Sequence, residues 1–262
     1  MPDTNTDEMK RCPFCDEEIR IKAMICKHCG QWMPGYTYEG AIRDLVIQKQ
    51  VTEIDSASLQ EDMKTREGQL RFAQGWAESD KKLSFKGFDL SAQDLKGIDL
   101  SGADLSGANL REANLSGANL QEADLTKANL FRTNLRGANL RKSKIAEAYM
   151  REVNLEQADL SGSQMPRTNL RNAFMDHAIL YRVDLEQANL KTVDLRYANL
   201  RESYLKETNF DGAKLEEINL TGALLIRTNF AHSDIEDHEY KPARIIEEIT
   251  LPNGQKYSKP QS

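Results

Sequence analysis

From Phe85 to Ile235 every fifth residue is apolar, 31 times in succession and without an insertion. The centre of the unit is Leu in 23 cases; Phe85, Ile145, Met150, Met165, Met175, Phe210, Phe230 and Ile235 fill the rest. Two residues before each centre stands Ala, Ser, Thr or an apolar side chain, with Gln93 the one misfit. The residue just before the centre is Asp or Asn in 22 units. A period of five matches neither the 3.6 of a helix nor the 2.0 of a strand. It also fails the seven-residue repeat of a coiled coil. Fixed self-similarity over this length predicts a repeat architecture. The centre and the residue two before it have the strand spacing that shares a face. Each unit therefore buries a pair of side chains and turns before the next pair. Asn, Asp, Ser and Gly serve such turns, and successive coils would hydrogen-bond along the axis at about 4.8 Å.

Runs such as Ala103-Asp104-Leu105-Ser106-Gly107 and Ala108-Asn109-Leu110-Arg111-Glu112 resemble the A(D/N)LXX motif of pentapeptide-repeat proteins. The resemblance covers residues 83–235 and implies an all-β solenoid, a right-handed quadrilateral β-helix of four units per coil and about eight coils. Asp and Asn are missing from several units within 143–150 and 163–180. There the coil is expected to continue with altered turns.

The flanks read differently. Residues 1–10 are expected to be a disordered leader, polar and acidic and without the apolar run of a signal peptide. Residues 11–33 hold Cys12, Cys15, Cys26 and Cys29, the only cysteines of the chain. Two CxxC pairs ten residues apart have the spacing of a tetrahedral thiolate site. The segment is similar to short zinc-ribbon modules, which implies one structural Zn2+ on these four thiolates. His28 is read as a spectator, since four cysteines fill the shell. Such a closed shell leaves no position for catalysis. Residues 34–82 link the module to the coil, with a helix expected from Ala57 to about Trp76 behind an Asp55/Ser56 cap. Its apolar face would cap the open edge of the first coil. After the coil, residues 236–262 hold a β-prone stretch from Arg244 to Thr250, a Pro252-Asn253-Gly254 turn and Tyr257, read as a closing hairpin and tail.

Charge and chemistry narrow the function. The formal net charge is −6 over the chain, and only −2 over residues 83–235. No segment is basic enough for generic DNA affinity, and no apolar run spans a membrane. A cytoplasmic protein is expected. The repeat fills its own interior with Leu and Ala, and no nucleophile, base and orienting group recur together; enzymatic activity and a small-molecule substrate are not expected. A column of Arg111, Phe131, Arg151, Arg171 and Lys191 invites a phosphate-binding reading, outweighed by a solvated ladder with Glu112 and Glu152 beside it. Phe174, Ile179, Tyr181 and Tyr197, with His177 nearby, face outward in the irregular units and form a candidate protein-binding patch. The favoured reading is a zinc-binding, non-enzymatic interaction scaffold with a protein partner. Two alternatives stand beside it. Some pentapeptide-repeat proteins imitate DNA and bind type II topoisomerases in quinolone resistance, but this rod lacks the negative charge that mimicry requires. The ribbon could instead bind nucleic acid, against which Asp16, Glu17 and Glu18 argue. Both ends are expected to be capped, favouring a monomer.

Overall fold

The computed structural model describes residues 9–11, 18–20, 65–75 and 84–259, in two compact units that divide at Leu83/Ser84. In the first unit, β1 (Met9–Arg11) and β2 (Glu18–Arg20) pair antiparallel, with Met9 opposite Arg20 and Arg11 opposite Glu18. The chain between these strands carries Cys12 and Cys15. All four cysteines, and with them the expected metal site, lie outside the described residues. Helix α1 (Arg66–Gly75) falls within the span that the sequence predicts, of which residues 57–64 lie outside the described residues. The Thr65 hydroxyl accepts the Gly68 N–H at 3.0 Å and caps its first turn.

The second unit is a solenoid. Parallel bridges join residues 20 apart from Ser84↔Asp104 to Asn209↔Asn229, so four five-residue units close one coil. Each unit contributes a three-residue side ending at the apolar centre and a two-residue corner. Four faces result. The middle residues of the first are Asn114, Asn134, Asn154, Phe174 and Asp194; of the second, Asn119, Asn139, Asp159, Ile179 and Asn199. Asp104, Asp124, Lys144, Gln164, Asp184 and Tyr204 follow on the third, and Asn109, Asn129, Tyr149, Asn169 and Asn189 on the fourth.

Backbone hydrogen bonding explains why the unit has five residues. At the Leu110 unit, Leu110 N donates to Asn129 O at 2.8 Å, Glu112 N to Phe131 O at 2.9 Å, and Asn129 N to Ala108 O at 2.9 Å. These run along the axis. A fourth, Ala113 N to Leu110 O at 3.0 Å, closes the corner. The fifth N–H, one residue past the centre, has no backbone acceptor. The Asp or Asn side chain supplies it: Asn109 Oδ1 accepts from Arg111 N, Asp124 Oδ1 from Thr126 N and Asn134 Oδ1 from Arg136 N. The acidic or amide residue is thus the last acceptor the coil needs. The same amides also join coils. Asn119 Nδ2 donates to Asp99 Oδ1 at 2.9 Å, and Asn139 Nδ2 to Asn119 Oδ1 at 3.1 Å.

The interior is layered. Centres from Phe85 to Phe230 are essentially buried, and from Ala103 onward the residues two before them are as well. Most hydroxyls admitted there donate to carbonyls, Thr133 to Leu110 O at 2.7 Å and Thr168 to Ile145 O at 2.8 Å, each on the coil below; the buried Ser163 hydroxyl has no partner among the described residues. Phe210 and Phe230 stack at 5.3 Å, one coil apart.

The irregular units do not have altered turns. Every corner from Gly87 to His232 places its second residue at a φ between 50° and 76°, including Arg167, Asn172, His177 and Arg182. Backbone bonds, the axial ones together with the closing bond such as Ala178 N to Met175 O at 3.0 Å, hold the corner, which has the left-handed third residue of a type II turn. Where Gln164 stands in place of Asp or Asn, Pro166 occupies the next corner and removes the N–H that would have lacked an acceptor.

Coil stacking also continues past Ile235, where the periodic reading stops. Helix α2 (Asp237–Tyr240) crosses the end. Then β4 (Ile245–Glu247) pairs in parallel with β3 (Leu224–Ile226), Leu224 opposite Ile245, and Asn229 bridges Thr250. The spacing has become 21 residues, because this segment follows a helical crossing rather than a repeat unit. Ile246 and Ile249 take the buried positions. Strand β5 (Ile249–Thr250) then forms a hairpin with β6 (Lys256–Tyr257).

Candidate functional site

A solenoid whose interior is filled leaves only its corners and faces for chemistry. Corner side chains form ladders with the coil above or below. Arg132 meets Glu152 at 2.7 Å, Arg136 meets Glu156 at 3.0 Å, Arg182 meets Glu202 at 2.7 Å and Lys191 meets Asp211 at 2.6 Å. The basic column is thereby largely neutralised. Arg111 pairs with Glu112, and the Arg111 and Arg132 guanidiniums lie 5.1 and 4.8 Å from the Phe131 ring centre. Arg171 is exposed and has no acidic partner within 4 Å among the described residues.

Several carboxylates are held ionised by these contacts. The Arg196 guanidinium beside Asp194, at 2.8 Å, keeps that carboxyl below its usual range. Partial burial pulls Asp159 upward, but hydrogen bonds from Ser161 and Arg141 outweigh it and lower its pKa. At the end of the solenoid, burial and the bond to Asp237 push the Tyr240 phenol up to about 12. A cleft of about 280 Å³ beside α2, lined by Glu217, Thr221, His238 and Glu239 among others, holds no arrangement of nucleophile and base. No cluster of three or more metal-ligating side chains occurs among the described residues. None of the described helices is long and apolar enough to cross a membrane.

The apolar outward residues are placed as follows. Phe174 is 50 % exposed in the middle of the first face and Ile179 is 40 % exposed in the middle of the second. His177 lies on the corner between them and stacks at 4.9 Å on Tyr197, one coil above. Tyr181 sits on the following corner, half-buried, with the Arg182 guanidinium 4.9 Å from its ring centre. The five residues make a belt around one corner and across two faces, not one flat patch. Tyr149 belongs with them and was missed by the sequence reading: it is 39 % exposed on the fourth face and stacks on Phe131 at 6.0 Å. Its signal was present. Tyr149, Phe174 and Ile179 each occupy the position that Asp or Asn fills elsewhere, and each interrupts an amide ladder.

A family model described as pentapeptide repeats matches the chain in overlapping segments between residues 84 and 237, with only 146 and 147 unmatched. No curated protein matches in sequence. Among solved structures, HetL, a pentapeptide repeat protein involved in heterocyst differentiation regulation in the cyanobacterium Nostoc sp. strain PCC 7120, is 25% identical. That match covers 68% of this chain and 93% of HetL, with a TM-score of 0.31. A trypsin-treated form of QnrB1, a plasmid-mediated fluoroquinolone resistance protein, is 21% identical over 67% of this chain and 87% of its own, with a TM-score of 0.41. Rfr23 from the cyanobacterium Cyanothece 51142 is 28% identical over 52% of this chain and 85% of its own, with a TM-score of 0.17.

Proposed function

The chain belongs to the pentapeptide-repeat family, and on that premise we propose that it is a non-enzymatic scaffold that presents a protein-binding surface. One observation carries this reading. Ile179, with the Tyr197–His177 stack beside it, spends exposed apolar area where Asn or Asp would join the coils. Such area favours contact with another protein. The solenoid is read as right-handed, the hand that parallel crossovers take, and as a quadrilateral β-helix with a helical cap ahead of it.

The N-terminal segment is proposed to hold one structural Zn2+ through Cys12, Cys15, Cys26 and Cys29. The spacing of the pairs supports this, as does the antiparallel register of β1 and β2 on either side of the first pair. Metal would supply the stability that so small a module lacks. DNA mimicry is disfavoured on physical grounds: Arg and Lys ladder against the acids along the corners, where a mimic must present an unbroken phosphate-like array.

A tagged pull-down from the native cell tests the scaffold, run with wild type, an Ile179→Asn/Tyr197→Ser variant and a Cys26→Ser/Cys29→Ser variant. A protein retained by wild type and by the cysteine variant but lost from the first variant is the expected result. Loss from the cysteine variant alone would move recognition to the zinc module. Retention by all three would overturn the assignment.

A further inference from the structure

The first face carries a charge pattern with an internal symmetry. Taking each row as the three side residues with both flanking corners, the row at Phe174 (171–177) is neutral, Arg171 balancing Asp176. Two coils below, the row at Asn134 (131–137) has net charge +2, from Arg132 and Arg136. Two coils above, the row at Lys214 (211–217) has −2, from Asp211, Glu216 and Glu217 against Lys214. One coil below, residues 151–157 carry −1; one coil above, residues 191–197 carry +1. The sign inverts about Phe174 at both distances. Phe174 is also the most exposed of the large apolar side chains of the solenoid.

We propose that this face docks a second copy of the chain, the two solenoids lying antiparallel with a two-fold axis through Phe174. An isologous contact requires a surface complementary to itself. Rotation about that axis lays each row on the row equally far beyond Phe174, so +2 meets −2 and −1 meets +1. A parallel pair would instead set each row against itself, and every charged row would repel. Within the chain the corner ladders account for Arg136, paired with Glu156, and for Lys191, paired with Asp211. They leave Glu216 and Glu217 with no cation within 4 Å among the described residues. Glu216 and Glu217 share an edge of the face with Arg136, so the partner's Arg136 would reach them, while the partner's Arg132 would face Asp211 on the other edge. At the axis Arg171 and Asp176 face their own copies on opposite edges of the face, so the attraction comes from the paired rows on either side and from the Phe174 contact. The rows so paired are the five from Asn134 to Lys214, which at about 4.8 Å each make a contact about 20 Å tall. That is a small interface, whose association the charges would steer and salt would weaken.

The dimer goes beyond the scaffold reading and does not rest on it, since it leaves the second face with Ile179 free. It is tested on the purified full-length chain, by sedimentation velocity over the micromolar range at low and high salt. The expected species at low salt has twice the 29.7 kDa chain mass, and salt dissociates it. Phe174→Asn suits the coil and should fold, as circular dichroism would verify; it should weaken dimerisation about tenfold or more, the loss of one buried aromatic contact. Arg132→Glu with Arg136→Glu should give monomer, and adding Glu216→Lys with Glu217→Lys in the same chain should restore the dimer. A wild-type monomer at every concentration would overturn the proposal. So would a charge-reversed chain that the second reversal does not rescue, or a dimer lost through Ile179→Asn and kept in Phe174→Asn.

Discussion

At the residue scale, the five-residue unit reduces to one question: which acceptor takes the N–H just past each apolar centre. Asp or Asn answers it in most units, and Pro166 removes the question in one. Ala146 marks a unit with neither device, because Lys144 precedes its centre. Ala146→Pro should therefore raise stability by about 0.4–1 kcal/mol, removing an N–H without a backbone acceptor and stiffening the unfolded chain; thermal denaturation checks it. The Asp ladder makes a second prediction, in pH. Asp159, Asp194 and Asp211 all have folded-state pKa values lowered by their partners. A lowered folded pKa contributes stability that is full above the unfolded value, about 3.9, and is lost as pH falls through the folded one. The melting temperature should be insensitive to these groups from pH 5 to 8 and should fall below about pH 4. A decline that begins near neutrality would contradict the assignment of these contacts. The Asp/Asn preference was legible in the sequence as turn chemistry. Its second use, the amide ladder from coil to coil, was not, because it depends on residues 20 apart being in register.

At the element scale, the coil was legible wherever apolar residues kept their period, since each coil repeats the same burial. It was not legible past Ile235. Residues 242–252 stack on the last repeat coil without a Leu centre, through backbone bonds such as Arg227 N to Glu247 O at 2.8 Å and Phe230 N to Thr250 O at 2.8 Å. Backbone pairing needs no sequence signature, so only the buried Ile246 and Ile249 could have hinted at it. The sequence likewise predicted altered turns around Phe174, where the corner geometry is unchanged. It took the side chain as the cause of the corner, whereas the backbone bonds impose it. The terminal segment closes the ladder's open edge, which would otherwise template pairing with other chains. A chain ending at Ile235 should therefore express as aggregate, read by light scattering against the full-length protein. A monodisperse truncated chain would show that the segment is not needed as a cap.

At the scale of the whole solenoid, three positions set stability against display. Tyr149, Phe174 and Ile179 each replace a ladder amide with an exposed apolar side chain, although Asn at each would find Asn or Asp one coil away: Asn129, Asn154 and Asp159 below. A sequence shaped by folding alone would place Asn there, since each restored amide bond is worth about 1 kcal/mol. The belt could be picked out of the sequence as outward and irregular. Its division between two faces could not, since that depends on where each corner turns. The central claim is that these breaks serve binding rather than folding. The most direct test is one variant, Tyr149→Asn/Phe174→Asn/Ile179→Asn, measured twice. The melting temperature should match or exceed that of wild type, while association with a second copy and capture of the cellular partner are both lost. A variant that melts lower yet keeps both associations would contradict the claim and make the three side chains part of the fold.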